Sequence, residues 1–244
     1  MVSKTTFARV FLFALFVGMS LILSQVAIDP IIGTNMNFKA FNAFTPAVGG
    51  IAGGLLGFAC VLGMQVFGLA LGTFKYAAQP LLFGLIPLGV LAFLPMALSA
   101  LYFGSKGKKS ALISVACILL FLLHPTGREV WYFSLFWVIP LIAAYVPRFR
   151  LISQALGATF TDHAVGSVMY LYLLNLPAAM WIAAIPLIPF ERGAFAAGIA
   201  LSYLALFNLL RAADSMTMRF ANVSLLKLFR INENYDGVVS LNFR

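Results

Sequence analysis

Residues 151–176 read LISQALGATFTDHAVGSVMYLYLLNL. The run is longer than the ~20 residues a helix needs to cross a bilayer, and it carries one carboxylate, Asp162, and one imidazole, His163, well inside its apolar pattern. A polar pair in such a stretch has little water to face. In lipid, backbone groups must be satisfied internally, so the stretch predicts a helix, and intramembrane ionisable side chains are candidates for function.

The whole chain has the same character. Of its 244 residues 62% are hydrophobic and only 9% are charged, against about 25% charged in a soluble domain. These figures exclude a water-soluble enzyme, a disordered regulator and a disulfide-rich secreted module, because so few charges cannot keep a surface solvated. The net charge of +9 reads as cytoplasmic loop bias and contact with anionic lipid, not as affinity for nucleic acid. Cys60 and Cys117 lie in apolar runs and read as small buried hydrophobes.

Outward from 151–176 the chain divides into further apolar segments. Residues 10–28 follow Lys4 and Arg9; the run is too long for a signal-peptide core and lacks an A-x-A-like site, so it reads as a retained span. A loop over 29–45 leads into 46–72, which holds eight glycines, among them the four-residue pairs Gly49–Gly53 and Gly50–Gly54; such spacing lets helix backbones approach closely. Segment 80–103 is punctuated by Pro80, Pro87 and Pro95, and 110–124 is a short span ending at His124-Pro125. The aromatic-led 130–147 follows, then 151–176, then 177–192, whose prolines predict a broken element. Residues 193–210 form the last apolar helix, completing a transmembrane domain over 1–210. Residues 211–244, with five basic and three acidic residues, read as a basic cytoplasmic tail with a surface amphipathic helix over 216–231.

The predicted class is therefore an all-α, polytopic integral membrane protein of the plasma membrane with six transmembrane helices, or seven if every apolar segment crosses. Charge bias decides for six. If one segment is re-entrant, both termini and the basic residues at 4, 9, 106, 108, 109, 148, 150, 211, 219, 227, 230 and 244 lie in the cytoplasm; with 46–72 as that segment, residues 39, 75 and 128 lie outside. The counting leaves open which segment re-enters.

A few ionisable side chains stand where lipid or protein must surround them. An unpaired carboxylate at the position of Asp162 costs roughly 2.5–3.5 kcal/mol and needs a partner. His163 shares its side of the helix with Ser167 and Tyr170. With Asn175 these residues offer a few convergent polar groups in an apolar wall, the usual make-up of a small-molecule site; the alternative is that Asp162 and His163 mark an interior hydrogen bond or a helix cap, with Thr161-Asp162 opening a helix that begins late. Glu191-Arg192 opens the last helix, where a carboxylate suits the positive helix end and the arginine snorkels to the headgroups; the alternative for the pair is a substrate or gating role. Trp131, beside Arg128-Glu129, and Trp181 supply planar surface, although an aromatic at a span edge is ordinarily an interfacial anchor. No HExxH, CxxC, GxSxG or Walker A pattern is present, so no metal, cofactor or catalytic residue is expected, and uphill movement needs an ion gradient or another subunit's ATPase.

The layout resembles the substrate-binding component of energy-coupling-factor (ECF) vitamin transporters. The resemblance rests on small residues four apart in the first segment (Ala14 and Gly18), the loop leading into Phe44-Thr45-Pro46-Ala47-Val48-Gly49-Gly50, and a His163-Ala164-Val165-Gly166 helix followed by a proline-rich stretch and Glu191-Arg192. It implies six helices forming a membrane-embedded vitamin binder, with Ala14 and Gly18 contacting a transmembrane coupling subunit, separate ATPases, and the 29–45 loop as a lid. The family's usual first-helix motif has alanine at both ends, and its Gly-rich segment is a full helix.

The expected function is binding of a small, partly apolar, vitamin-like molecule for uptake without chemical conversion, through Asp162, His163, Ser167, Tyr170, Asn175, Trp131, Trp181 and Glu191. An accessory subunit of a membrane complex is the alternative. An integral-membrane lipid or isoprenoid enzyme ranks below both, because residues 1–210 hold only four carboxylates.

Overall fold

The computed structural model describes residues 4–30, 37–72, 80–81, 86–87, 93–105, 109–146, 150–174 and 176–221. The fold is all-α. Its helices are α1 (Lys4–Leu23), α2 (Ala40–Ala52), α3 (Gly54–Ala70), α4 (Leu94–Gly104), α5 (Leu112–Leu123), α6 (Pro125–Glu129), α7 (Ile139–Ala143), α8 (Arg150–Leu174), α9 (Ala178–Ala184) and α10 (Ile188–Ala221), with a 3-10 helix over Trp131–Val138. Two minimal antiparallel ribbons accompany them: β1 (Ala27–Pro30) with β2 (Asn37–Lys39), and β3 (Pro80–Leu81) with β4 (Ile86–Pro87).

The Gly-rich segment is not one straight helix. It breaks at Gly53, whose φ of 90° and ψ of 157° lie in a region open essentially to glycine alone. The break folds α3 back on α2 so tightly that a Cβ on Gly57 would collide with the Gly49 backbone. On its other side, a Cβ on Gly49 would strike the Ala100 backbone of α4, and one on Gly104 would strike Gly49. Three backbones thus meet at Gly49 without intervening side chains. Around a Cβ on Gly53 itself the space is open, so Gly53→Ala carries the conformational cost alone. We expect it to destabilise the protein by about 1–3 kcal/mol, measured as a lower melting temperature.

Helix α4 joins the two halves of the bundle. It packs against α2 and α3 on one side and α8 on the other. Ser99 donates to the Ala158 carbonyl at 2.8 Å, and Tyr102 donates to the Pro140 carbonyl at 2.6 Å, while Gly157 leaves room for the Tyr102 phenol. One core, around Phe44, Ile51, Phe103, Tyr203 and Phe207, joins α1–α4 to α10. A second, largely aromatic core of Phe121, Phe133, Trp137, Phe160 and Trp181 lies between α5, the 3-10 helix, α8 and α9.

Several expected spans differ from the helices found. Among the described residues of 80–103, the α-helix is Leu94–Gly104, started by Pro95 near its N-terminus, while Pro80 and Pro87 belong to the β3–β4 ribbon. Segment 130–147 is a 3-10 helix followed by five residues of α7, with Pro140 at the junction; proline has no N–H to bond the preceding turn. Helices α4 and α5, of 11 and 12 residues, are about 17 and 18 Å long at 1.5 Å per residue, short of a ~30 Å hydrocarbon core. Among the described residues one helix, the Ile188–Ser215 part of α10, is long and apolar enough to cross a membrane. Helix α10 also continues past residue 210 to Ala221, so no break separates the first part of the expected tail from the bundle.

Candidate functional site

Helix α8 runs from Arg150, which puts Asp162 and His163 at its middle. Asp162 therefore caps nothing. Its partner comes from α10. After α9 the chain turns at 185–187 and restarts with Pro189 in the first turn of α10, bringing that helix's beginning against α8. Arg192 Nη1 lies 3.4 Å from Asp162 Oδ2, and Arg192 Nη2 lies 3.5 Å from Glu191 Oε2. Both contacts are longer than the ~2.7–2.9 Å of a tight charge-assisted bond. The guanidinium also sits 4.9 Å from the centre of the Phe195 ring, a cation–π distance, and Glu191 occupies the first helical turn, where the helix dipole favours an anion.

The snorkelling expected of Arg192 is overturned: its side chain is only 2% exposed. Of the Glu191-Arg192 pair only Glu191 was expected among the binding residues, although a signal for Arg192 existed. Of the 16 basic residues, the topology count places 12 inside and 3 outside, and the one left over is Arg192. A buried Asp162 in need of a cation and a single unassigned cation were both legible.

His163 stands beside this pair, with Phe133, Phe160 and Trp137 rings at 5.5, 6.1 and 6.3 Å. The Trp137 indole N–H donates to His163 Nδ1 at 3.1 Å. Indole nitrogen is a donor only, so Nδ1 is the acceptor and the imidazole proton resides on Nε2. With Nδ1 taken by Trp137 and Nε2 protonated, the imidazole has no free nitrogen to accept a proton from Ser167, so His163, Ser167 and Asp162 do not form an acyl-transfer triad. We expect Trp137→Phe to lower stability by about 1–3 kcal/mol by leaving Nδ1 unpaired, visible as a lower melting temperature.

Of the other expected residues, Ser167 and Tyr170 follow His163 on the same side of α8, and Tyr170 lies within electrostatic reach of both Asp162 and Arg192. His163 and Tyr170 keep partial exposure although they lie deep in the bundle, whereas Ser167 is buried. Trp181 is one ring removed: it packs on Phe121 and Phe133, and its N–H donates to the Leu176 carbonyl. Trp131 is not brought to the site. It is 54% exposed at the start of the 3-10 helix, against Tyr132, because that helix turns Phe133 and Trp137 inward instead. Asn175 lies outside the described residues. Ala14 and Gly18 face outward from α1, with open space beside Gly18. Among the described residues no three His, Cys, Asp or Glu side chains gather as a metal ion would require.

No protein-family model matches the chain, and no solved structure matches it. It is similar to a protein of Methanocaldococcus jannaschii called Uncharacterized protein MJ0923, 24% identical over 231 residues, an alignment that takes in 86% of this chain and 72% of that one.

Proposed function

We propose that the chain is a six-span membrane protein, both termini cytoplasmic, that binds a small, partly apolar, vitamin-like molecule for uptake and leaves its covalent structure unchanged. The observation that carries the reading is the gathering of Asp162, Arg192 and Glu191 with His163 and Tyr170 inside an aromatic and aliphatic shell. A few oriented polar groups in an apolar wall fix a ligand's pose, while burial supplies affinity.

Membrane residence is supported by an inverted distribution of side chains. Leu55, Leu112, Leu123, Phe190, Leu201 and Leu209 are strongly exposed, whereas Arg192, Gln65 and Thr45 are buried. Soluble monomers rarely expose so much large apolar surface. The bend at Gly53 supports α2–α3 as the re-entrant element, since irregular backbone at membrane depth is tolerated when protein surrounds it, and α2 is packed by α1, α3, α4 and α10.

Energy comes, in this reading, from partner subunits. The outward-facing Ala14 and Gly18 support a helix–helix contact there, and small residues allow close approach. Full-length protein purified in mild detergent should release a small molecule detectable by mass spectrometry, and Asp162→Ala or His163→Ala should reduce its occupancy at least tenfold. Equal occupancy in both variants would move the site elsewhere.

A further inference from the structure

His163 is tied down at one nitrogen and open at the other. The Trp137 indole N–H occupies Nδ1 at 3.1 Å, which leaves the Nε2–H as a hydrogen-bond donor. That N–H engages no partner among the described residues. Nor is it sealed in packing, as the buried and unpaired Ser114 hydroxyl and Gln154 amide oxygen are. His163, Gly166 and Tyr170, at helical spacings of three and four on one side of α8, all keep partial exposure, whereas Ala164, Val165 and Ser167 are buried. A Cβ added at Gly166 would have the Pro95 side chain of α4 as its nearest described neighbour, at 3.9 Å, an ordinary contact that leaves room beside the strip. The Phe133 ring lies 5.5 Å from the imidazole at a tilt of 36°, and the Phe160 ring 6.1 Å away at 89°. A fixed donor between aromatic rings, with open space beside it, can orient one polar atom of a mostly apolar molecule.

We infer that the ligand presents an uncharged hydrogen-bond acceptor, such as the carbonyl oxygen of an amide or ketone borne on an aromatic ring, to the His163 Nε2–H. The assignment rests on reading the site as the ligand pocket and names the chemistry it selects. An acceptor is required because Nε2 in this tautomer can only donate. It is uncharged because the Arg192 guanidinium is already engaged by Asp162 and Glu191, so a further buried anion would lack a counter-ion. Trp137 is a positioning residue in this scheme: its N–H holds the imidazole proton on Nε2.

The test uses full-length protein in lipid nanodiscs with three probes of similar size: benzamide, benzoate and benzylamine, which carry a neutral carbonyl, an anion and a cation. Benzamide should raise the melting temperature and the charged probes should not. His163→Phe keeps a ring and removes the donor, so benzamide affinity should fall about two- to tenfold, the scale of a neutral hydrogen bond. Should His163→Phe fail to fold, Gly166→Leu serves instead; it fills the space beside the strip and should weaken benzamide severalfold. The chain has two histidines, so His124→Gln in protein with isotope-labelled imidazoles leaves His163 as the one ring observed by nitrogen NMR. The spectrum should show the proton on Nε2, a shift of that nitrogen on adding benzamide, and a mixture of tautomers once Trp137→Phe is introduced. Equal stabilisation by a charged probe, no shift with any probe, a proton on Nδ1, or undiminished benzamide binding in the folded variants overturns the proposal. Co-purification separates this from failure of the wider reading. A released molecule whose occupancy falls in Asp162→Ala but not in His163→Phe rejects the donor and retains the binder; occupancy equal in wild type and all variants rejects both.

Discussion

Gly49→Val is expected to abolish the folded bundle. The added Cβ would meet the Ala100 backbone of α4, and the neighbouring Gly57 and Gly104 already bring α3 and α4 against the same residue. A side chain can rotate away from an intruder, but three helix backbones cannot separate without losing the packing around Val48, Ile51 and Phe103. Overpacking in ordinary cores costs about 1–3 kcal/mol. Here the obstacle is backbone, so the cost should exceed about 3 kcal/mol, a large share of the ~5–15 kcal/mol that holds a typical domain folded. The expected measurement is loss of the monodisperse species in size-exclusion chromatography. Gly18→Val, with open space around its Cβ, should leave that species intact; equal loss in both variants would refute the crossing as the cause.

Arg192→Leu is expected to destabilise the protein by about 3–5 kcal/mol, because it leaves Asp162 buried without its cation. The double variant Asp162→Leu/Arg192→Leu should recover most of that loss, since replacing both members of a buried ion pair by apolar groups is often neutral or stabilising. On the proposed function, ligand occupancy should stay lost in the double variant. Melting temperatures of the wild type, both single variants and the double variant complete the cycle. Additive losses would show that the pair is not energetically coupled, and recovered occupancy would show that it does not serve binding.

The fold was legible to differing depths. Helical class followed from composition. The broken element at 177–192 could be read from its prolines, since Pro177, Pro186 and Pro189 bracket the short α9 and its turn. The break at Gly53 could not be located, because the surrounding glycines at 49, 50, 54 and 57 are equally permissive one at a time and only packing selects which takes the positive φ. The shortness of α4 and α5 was hidden for a related reason: an apolar run has the same composition as 3-10 helix, α-helix or ribbon.

The site divides along the same line. Helical spacing places His163, Ser167 and Tyr170 together because one helix carries them all. Pairing Asp162 with Arg192 requires two helices thirty residues apart to meet, and no periodicity encodes that meeting. Nor could spacing separate Trp137, which donates to His163, from Trp131, which faces outward; the 3-10 winding decides which indole turns in.

By itself, then, the sequence determined that this chain is helical and that a buried Asp162 needs a partner, because these follow from composition and from the cost of burying charge. Tertiary structure alone decided that the partner is Arg192, that the guanidinium is buried more deeply than either carboxylate, and that the bundle turns on Gly49 and Gly53. Those are matters of which backbones approach one another, and close approach is set by the packing of the whole bundle.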